Sequence, residues 1–444
     1  MNNNMPREQI MTPSSASERP QFLSIIAQSF KKNLRQYTML IALVVIWLIF
    51  TALTGSVFLS PRNLSNLFLQ SSTIAILAIG MTLVLVAGHL DLSVGSVAGF
   101  IGALAAVLQI NYNLPTIPTV CVALGAGLAV GAWQGYWVAY RRIPAFIVTL
   151  ASMIAFRGAI LGITGGRTIG PMEDSFKIFG QGYVPSILFS STNQLDAQGN
   201  IILNTYGEPV TGFKMLGSET FYPGDYPPIN DVTALIAVFC IAAFVLLELK
   251  KRRSRIRYGF SVLPKYIETL RLVAISIAIG AFFSVMALYM GIPYAVLIVF
   301  VLGVIFTVIT NNTPFGRHLY AMGGNLEAAR LSGINIKKRT LGVFMLMGLL
   351  TAIAGIVLTA RLNAATTSAG QNFELDAISA AIIGGTSTMG GVGTIFGSII
   401  GALVMASLDN GMSLMNLDIT WQYIVKGSIL LLAVWIDIAT RKKN

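Results

Sequence analysis

Eight stretches of this chain are each about twenty residues long and mainly apolar: 37–58, 118–140, 143–164, 231–249, 272–291, 292–310, 340–361 and 421–438. A helix of about twenty residues covers the roughly 30 Å of hydrocarbon in a bilayer. Each run therefore reads as a membrane span. Of the 444 residues, 55% are hydrophobic and 11% charged, which excludes a soluble multidomain enzyme. The 43 glycines suit close helix–helix approach, so helices rather than a barrel are indicated.

Two further apolar stretches are interrupted. Gly88-His89-Leu90-Asp91 breaks 69–110, and Gly384-Gly385-Thr386-Ser387 with Gly390-Gly391 breaks 373–412. Each is either two spans or a re-entrant helix pair. The expected fold is an all-α polytopic membrane protein with about 10–12 transmembrane or re-entrant helices.

Lys and Arg in short loops mark the cytosolic side. Lys31, Lys32 and Arg35, then Arg141 and Arg142, the cluster at 250–257, Lys337, Lys338 and Arg339, and finally Arg441 to Lys443 must share it, which puts both termini in the cytoplasm. Residues 1–20 are polar and lack the apolar core of a signal peptide, so a disordered cytoplasmic tail is expected. Phe22, Ile25, Ile26, Phe30 and Leu34 recur at helical spacing beside Lys31 and Lys32, which predicts an interfacial amphipathic helix over 21–36. The membrane domain would fill 37–444. Position also explains the net charge of +12: the cations lie between spans rather than on a basic domain face, so no nucleic-acid partner is implied. Cys121 and Cys240 sit inside apolar runs as packing residues.

The stretch 165–231 carries seven acidic residues against three basic ones and should lie outside. Its turn-forming segments, such as Tyr206-Gly207-Glu208-Pro209, predict a loop insertion or small cap. It serves either as a docking or gating surface or as decoration.

No phosphate-cradling G-x-x-x-x-G-K-[ST] loop occurs, the only two histidines, His89 and His318, are far apart, and no zinc motif is present. Catalysis, a metal site and a cofactor of its own are thus not expected of this chain. Ionisable residues near spans are the natural functional candidates because charge is costly in lipid. They are Asp91, Arg157, Glu374, Asp376, Asp409 and Lys426, and the plainer reading makes them solvated ends or interhelical ion pairs. Ser93, Gly95, Ser96, Thr386, Ser387 and Asn410 join Asp91, Asp376 and Asp409 as pathway or helix-break candidates. Val94-Gly95-Ser96-Val97-Ala98-Gly99 matches Val392-Gly393-Thr394-Ile395-Phe396-Gly397, each followed by Gly-Ala-Leu, which suggests a weak parallel internal repeat.

The most informative segment lies in the cytoplasmic loop 312–339. Asn325 can cap a short helix with Glu327 in its first turn, and Gly333 can end it. Ala328 and Ala329 between Leu326 and Leu331 suit insertion into a groove on a partner.

Gly323-Gly324-Asn325-Leu326-Glu327-Ala328-Ala329-Arg330-Leu331-Ser332-Gly333 resembles the cytosolic coupling loop of bacterial ABC monosaccharide importer permeases, the ribose, galactose and xylose group. Gly88 to Ser96 resembles that family's G-x-x-D-L-S-V-G-S signature, and Glu374-Leu375-Asp376, Gly384 to Ser387 and Trp421 to Gly427 fit it in order. Ala406 to Ser413 and Ala151 to Gly158 look most like xylose or multiple-monosaccharide permeases. The resemblance implies a multi-pass bacterial inner-membrane homodimer, a cytoplasmic ABC ATPase holding ATP and Mg, and a periplasmic sugar-binding protein. Gly323, Gly324, Asn325, Glu327, Ala328, Ala329, Ser332 and Gly333 would couple the chain to that ATPase.

Two readings of function follow. One is the passive membrane subunit of an ATP-driven sugar importer. The other is an ion-coupled sugar carrier in which Asp91, Asp376 or Asp409 binds the ion.

Overall fold

A computed structural model describes residues 34–194, 202, 210–216, 221–223, 227–260, 262 and 265–441. The expected tail over 1–20 and most of the expected interfacial helix lie outside the described residues; 34–36 already belong to the first span. Nine described helices are long and apolar enough to cross a membrane, and two shorter apolar helices accompany them. The chain is an all-α polytopic membrane protein.

Helix α1 is Leu34–Leu53, α2 Pro61–Val86, α3 Val94–Ala106, α4 Thr116–Ala139 and α5 Ala145–Thr164. A π-helical turn, Val107–Asn111, extends α3 to span length. The first interrupted stretch is thus two full spans joined by a short turn at 87–93. Helix α2 starts with Pro61 in its first turn and the Ser60 side chain accepting from the Asn63 amide at 3.4 Å. Gly88, at φ +79°, turns the chain out of it.

Next come the short helix α6, Asp174–Gln181, and three antiparallel strands, β1 Phe189–Asn193, β2 Thr211–Met215 and β3 Phe221–Pro223. The stretch read from sequence as a loop insertion or small cap contains a helix whose Phe176 is fully buried against α12, introduced below, and a sheet with β2 in the middle. Its turn at 206–209 lies outside the described residues. At eight residues α6 is about two turns, too short a run to stand out among glycines and prolines.

Helices α7 Asp231–Arg257 and α8 Lys265–Ala287 form a hairpin at the periphery, and α9 Tyr294–Asn312 returns to the bundle. Then follow α10 Pro314–Gly324, α11 Leu326–Leu331, α12 Ile336–Leu362, α13 Phe373–Ile383, α14 Ile395–Leu414 and α15 Ile419–Arg441. The second interrupted stretch differs from the first, since α13 has 11 residues, about 17 Å of rise, and spans only part of a bilayer. The loop 312–339, expected on the cytosolic side, holds two helices where one was expected.

The core is built around α2 and α12, with α14 against α2 and α4 against α12. Gly127, Gly131 and Gly135, four apart on α4, meet Gly348, Phe344 and Leu341 of α12; a Cβ on Gly348 would overlap the Gly127 carbonyl oxygen. Without a hydrophobic drive between helices in lipid, such close backbone approach supplies the packing. Helix α1 lies along α14, where the Trp47 indole donates to the Ser407 hydroxyl at 2.9 Å. The hydroxyls of Thr82 and Ser398 join α2 to α14.

Candidate functional site

The loop joining α9 to α12 meets both helix breaks. Thr313 caps α10, accepting from the Gly316 amide at 3.3 Å, with Pro314 in the first turn. At the other end of α10, Gly323 sits so close to the carbonyl oxygen of Val86 and the amide of Gly391 that a Cβ there would overlap both. The Gly391 amide donates to that same carbonyl at 3.0 Å. One turn earlier, the Tyr320 hydroxyl donates to the Gly393 carbonyl at 2.8 Å. The end of α2, the turn after α13 and the short helix α10 therefore form one packed joint.

Beyond the joint, Asn325 caps α11, its side chain accepting from the Ala328 amide at 2.9 Å, and Gly333, at φ +81°, ends the turn. Ser332 donates to the Ala328 carbonyl at 2.9 Å, and Glu327 and Arg330 are exposed. Ala329 is buried against its own chain, whereas Ala328 and Gly324 are exposed, Leu326 is 54% exposed and Leu331 86%. Of the two alanines expected to enter a partner's groove, Ala329 is thus turned into the chain's own packing, while Ala328, Leu326 and Leu331 are exposed; a six-residue helix turns one face inward, and the sequence does not say which.

In the first break, Asp91 accepts from the Ser93 amide at 2.8 Å and the Ser93 hydroxyl at 2.7 Å, and Gln134 of α4 donates to that hydroxyl at 2.7 Å. Asp91 and Ser93 are buried and hold the turn that starts α3. Gly95 faces the Gly370 carbonyl and Glu374. Ser96 is buried beside it with no hydrogen-bond partner for its hydroxyl among the described residues. In the second break, the Ser387 amide donates to the Val392 carbonyl at 2.9 Å, and the buried Thr386 side chain packs on Gly393.

Three ionisable candidates converge away from the breaks. The Lys426 ammonium of α15 lies 3.1 Å from Asp376 of α13 and 2.9 Å from Asp409 of α14. The interhelical ion-pair reading fits these three. Next to them Asn410 exchanges two amide hydrogen bonds with Asn63 of α2, at 2.9 and 3.0 Å. Arg157 of α5 donates to the Ala369 carbonyl at 2.9 Å, so the segment leading into α13 is tied to α5. Sequence reasoning missed Tyr320, Gln134 and Asn63; the last two were visible as polar residues in or beside apolar runs. Among the described residues, no group of three or more His, Cys, Asp or Glu side chains is placed to hold a metal ion.

The profile of a family described as "Branched-chain amino acid transport system / permease component" matches residues 63–434. The chain belongs to that family. This permease is 43% identical to the xylose transport system permease protein XylH of Haemophilus influenzae over 93% of its length and 98% of that protein's. To XylH of Escherichia coli K12 it is 41% identical, covering 93% and 94%. To the ribose import permease protein RbsC of the same strain it is 32% identical, covering 92% and 95%. No solved structure matches it. The resemblance carried by the motifs is borne out, and the permease is a multi-pass protein of the bacterial inner membrane.

Proposed function

We propose that this permease is the membrane-spanning subunit of an ATP-driven importer of a monosaccharide, xylose or a related pentose or hexose. It works as a homodimer with a cytoplasmic ATPase that binds ATP and Mg and with a periplasmic sugar-binding protein that delivers the substrate. The observation that carries the substrate class is the 41–43% identity, over nearly the whole chain, to proteins named as xylose permeases.

The geometry supports the coupling half of the reading. An ATPase that moves α11 by its exposed Leu326 and Leu331 moves α10 with it, since only Asn325 separates the two helices. At Gly323 that motion reaches the ends of α2 and α13 together. Hydrolysis belongs to the partner; this chain converts its motion into a rearrangement of the breaks. Ion coupling has less support, since Asp376 and Asp409 are both engaged by Lys426 and Asp91 holds its own turn.

Uptake of labelled xylose into proteoliposomes tests this. Uptake should require the ATPase, the binding protein and ATP together. Uptake by the chain alone under a proton or sodium gradient would overturn the proposal in favour of the carrier reading.

A further inference from the structure

The peripheral helix α7 carries two different faces along its cytosolic half. Glu248, Arg252 and Arg255 look toward α8: Glu248 is 3.4 Å from Arg271, Arg252 pairs with Glu268, and Arg255 lines the same shallow pocket. The opposite face reads Leu235, Phe239, Leu246, Lys250, Arg253 and Arg257, at steps of four, seven, four, three and four. The three apolar residues are 66–73% exposed, and the three cations are exposed as well. These steps keep all six on one stripe of the helix. Nothing in the described chain packs on that stripe as α8 packs on the other side.

Length fits the stripe to a membrane leaflet. The apolar part, 232–249, rises about 27 Å, and 250–257 a further ~12 Å, so the cations stand at headgroup depth directly beyond the hydrocarbon. Three cations of the other loops expected on that side lie instead over aromatic rings: Arg141 over Tyr136 at 5.6 Å, Lys337 over Tyr140 at 5.8 Å and Arg339 over Phe315 at 5.7 Å. A second copy seated here by a two-fold axis would set these cations against the same cations, which is unfavourable.

We infer that this stripe of α7 binds an anionic phospholipid lengthwise, with acyl chain along Leu235, Phe239 and Leu246 and headgroup phosphate among Lys250, Arg253 and Arg257. The inference is independent of the transported substrate.

The test uses the purified full chain in neutral detergent, with native mass spectrometry counting bound phosphatidylglycerol or phosphatidylcholine during a titration. Each basic residue near an anionic surface is worth roughly a fivefold change in affinity, so the triple variant Lys250→Gln, Arg253→Gln, Arg257→Gln should bind phosphatidylglycerol roughly a hundredfold more weakly. The pair Arg141→Gln, Arg142→Gln should leave it unchanged. An unaltered thermal midpoint in phosphatidylcholine checks that the triple variant is folded. Four results would overturn the inference: equal phosphatidylglycerol binding by wild type and triple variant; equally tight phosphatidylcholine binding; displacement by inorganic phosphate, which would make the site one for a free anion; or loss of ATPase association with lipid binding intact, which would assign the stripe to a protein.

Discussion

The amide of Gly391 donates to the carbonyl oxygen of Val86 at 3.0 Å, so the turn after a half-length helix satisfies the end of a full-length one. The last carbonyls of any helix lack intrahelical partners. Here that vacancy at the end of α2 is filled by the other broken pair, and Gly323 of α10 lies against the contact. A displacement of α10 cannot leave either break untouched.

Gly323→Ala therefore tests the joint. Its Cβ would overlap Val86 and Gly391, an overpacking that costs about 1–3 kcal/mol. Gly324→Ala is the matched control, since nothing lies within 4 Å of a Cβ there. The first change should abolish coupled transport and lower the thermal midpoint of the membrane-inserted chain, and the second should do neither. Equal activity of the two variants in proteoliposomes would remove the joint from the mechanism.

What the sequence disclosed divides along physical lines. Span positions were legible because solvation in lipid acts on every residue of a run, and the predicted 143–164 differs from α5, Ala145–Thr164, by two residues at one end. The caps at Asn325 and Gly333 were legible because capping is local. Lys426 was visible as a cation in an apolar run, but its partners were not, because Asp376 lies fifty residues away and nothing local encodes that distance. The inward turn of Ala329 was hidden for the same reason, as was Gly323's packing against Val86.

The Lys426 cluster yields a stability prediction. Lys426→Met leaves two carboxylates of α13 and α14 near each other with no cation; breaking a fully buried pair from one side costs about 3–5 kcal/mol, and this partly buried cluster should lose less than that. Asp409→Asn should cost much less, because Asp409 is the more exposed carboxylate and Lys426 keeps Asp376. The triple variant Asp376→Asn, Asp409→Asn, Lys426→Met should recover much of the loss of Lys426→Met alone. Thermal unfolding in detergent reads all three, and an additive loss would show that the charges are independent.

Glycine substitutions test the close approaches near the first break. A side chain at Gly95 would strike the Gly370 carbonyl and Glu374, and one at Gly102 would strike Thr359 of α12, so Gly102 is as crowded as Gly95 despite lying mid-helix. Gly158 of α5 has open space around it. Valine at Gly95 or Gly102 should therefore lower the unfolding midpoint and transport together, while Gly158→Val is tolerated. A loss at Gly158 comparable with the others would mean that the surface left open around it is covered in the assembly.

The insertion between α5 and α7 can be trimmed only outside its sheet. Deleting 193–220 would remove β2, which pairs with both β1 and β3, and so would unfold the sheet. Replacing 195–209 by a short turn keeps the register from Phe189 opposite Met215 to Asn193 opposite Thr211. The change removes the bond from the Ile202 amide to the Gln194 carbonyl and that from the Val210 amide to the Ile202 carbonyl, and the permease should still fold and insert. If the insertion docks the binding protein, its association should weaken and lose part of its salt dependence; identical affinities at two salt concentrations would class 195–209 as decoration.

The face of α11 gives the most direct test of the proposed ATPase contact. Leu331 is 86% exposed and Leu326 54%, so neither contributes much to the chain's own core, while Ala329 between them is buried. Leu331→Asp should leave the unfolding midpoint of the isolated permease within the range of surface changes, about 0.5 kcal/mol. Docked in an apolar groove, the same carboxylate would be desolvated without a counter-ion. Loss of an anchoring side chain of that kind costs about 2 kcal/mol or more, roughly thirtyfold in affinity. Ala329→Glu should do the reverse, lowering the stability of the permease itself because the charge enters its own packing. Pull-down of the ATPase and the unfolding midpoint, measured on both variants, separate the two faces. If Leu331→Asp holds the ATPase as tightly as wild type, α11 is not the element that the ATPase grips.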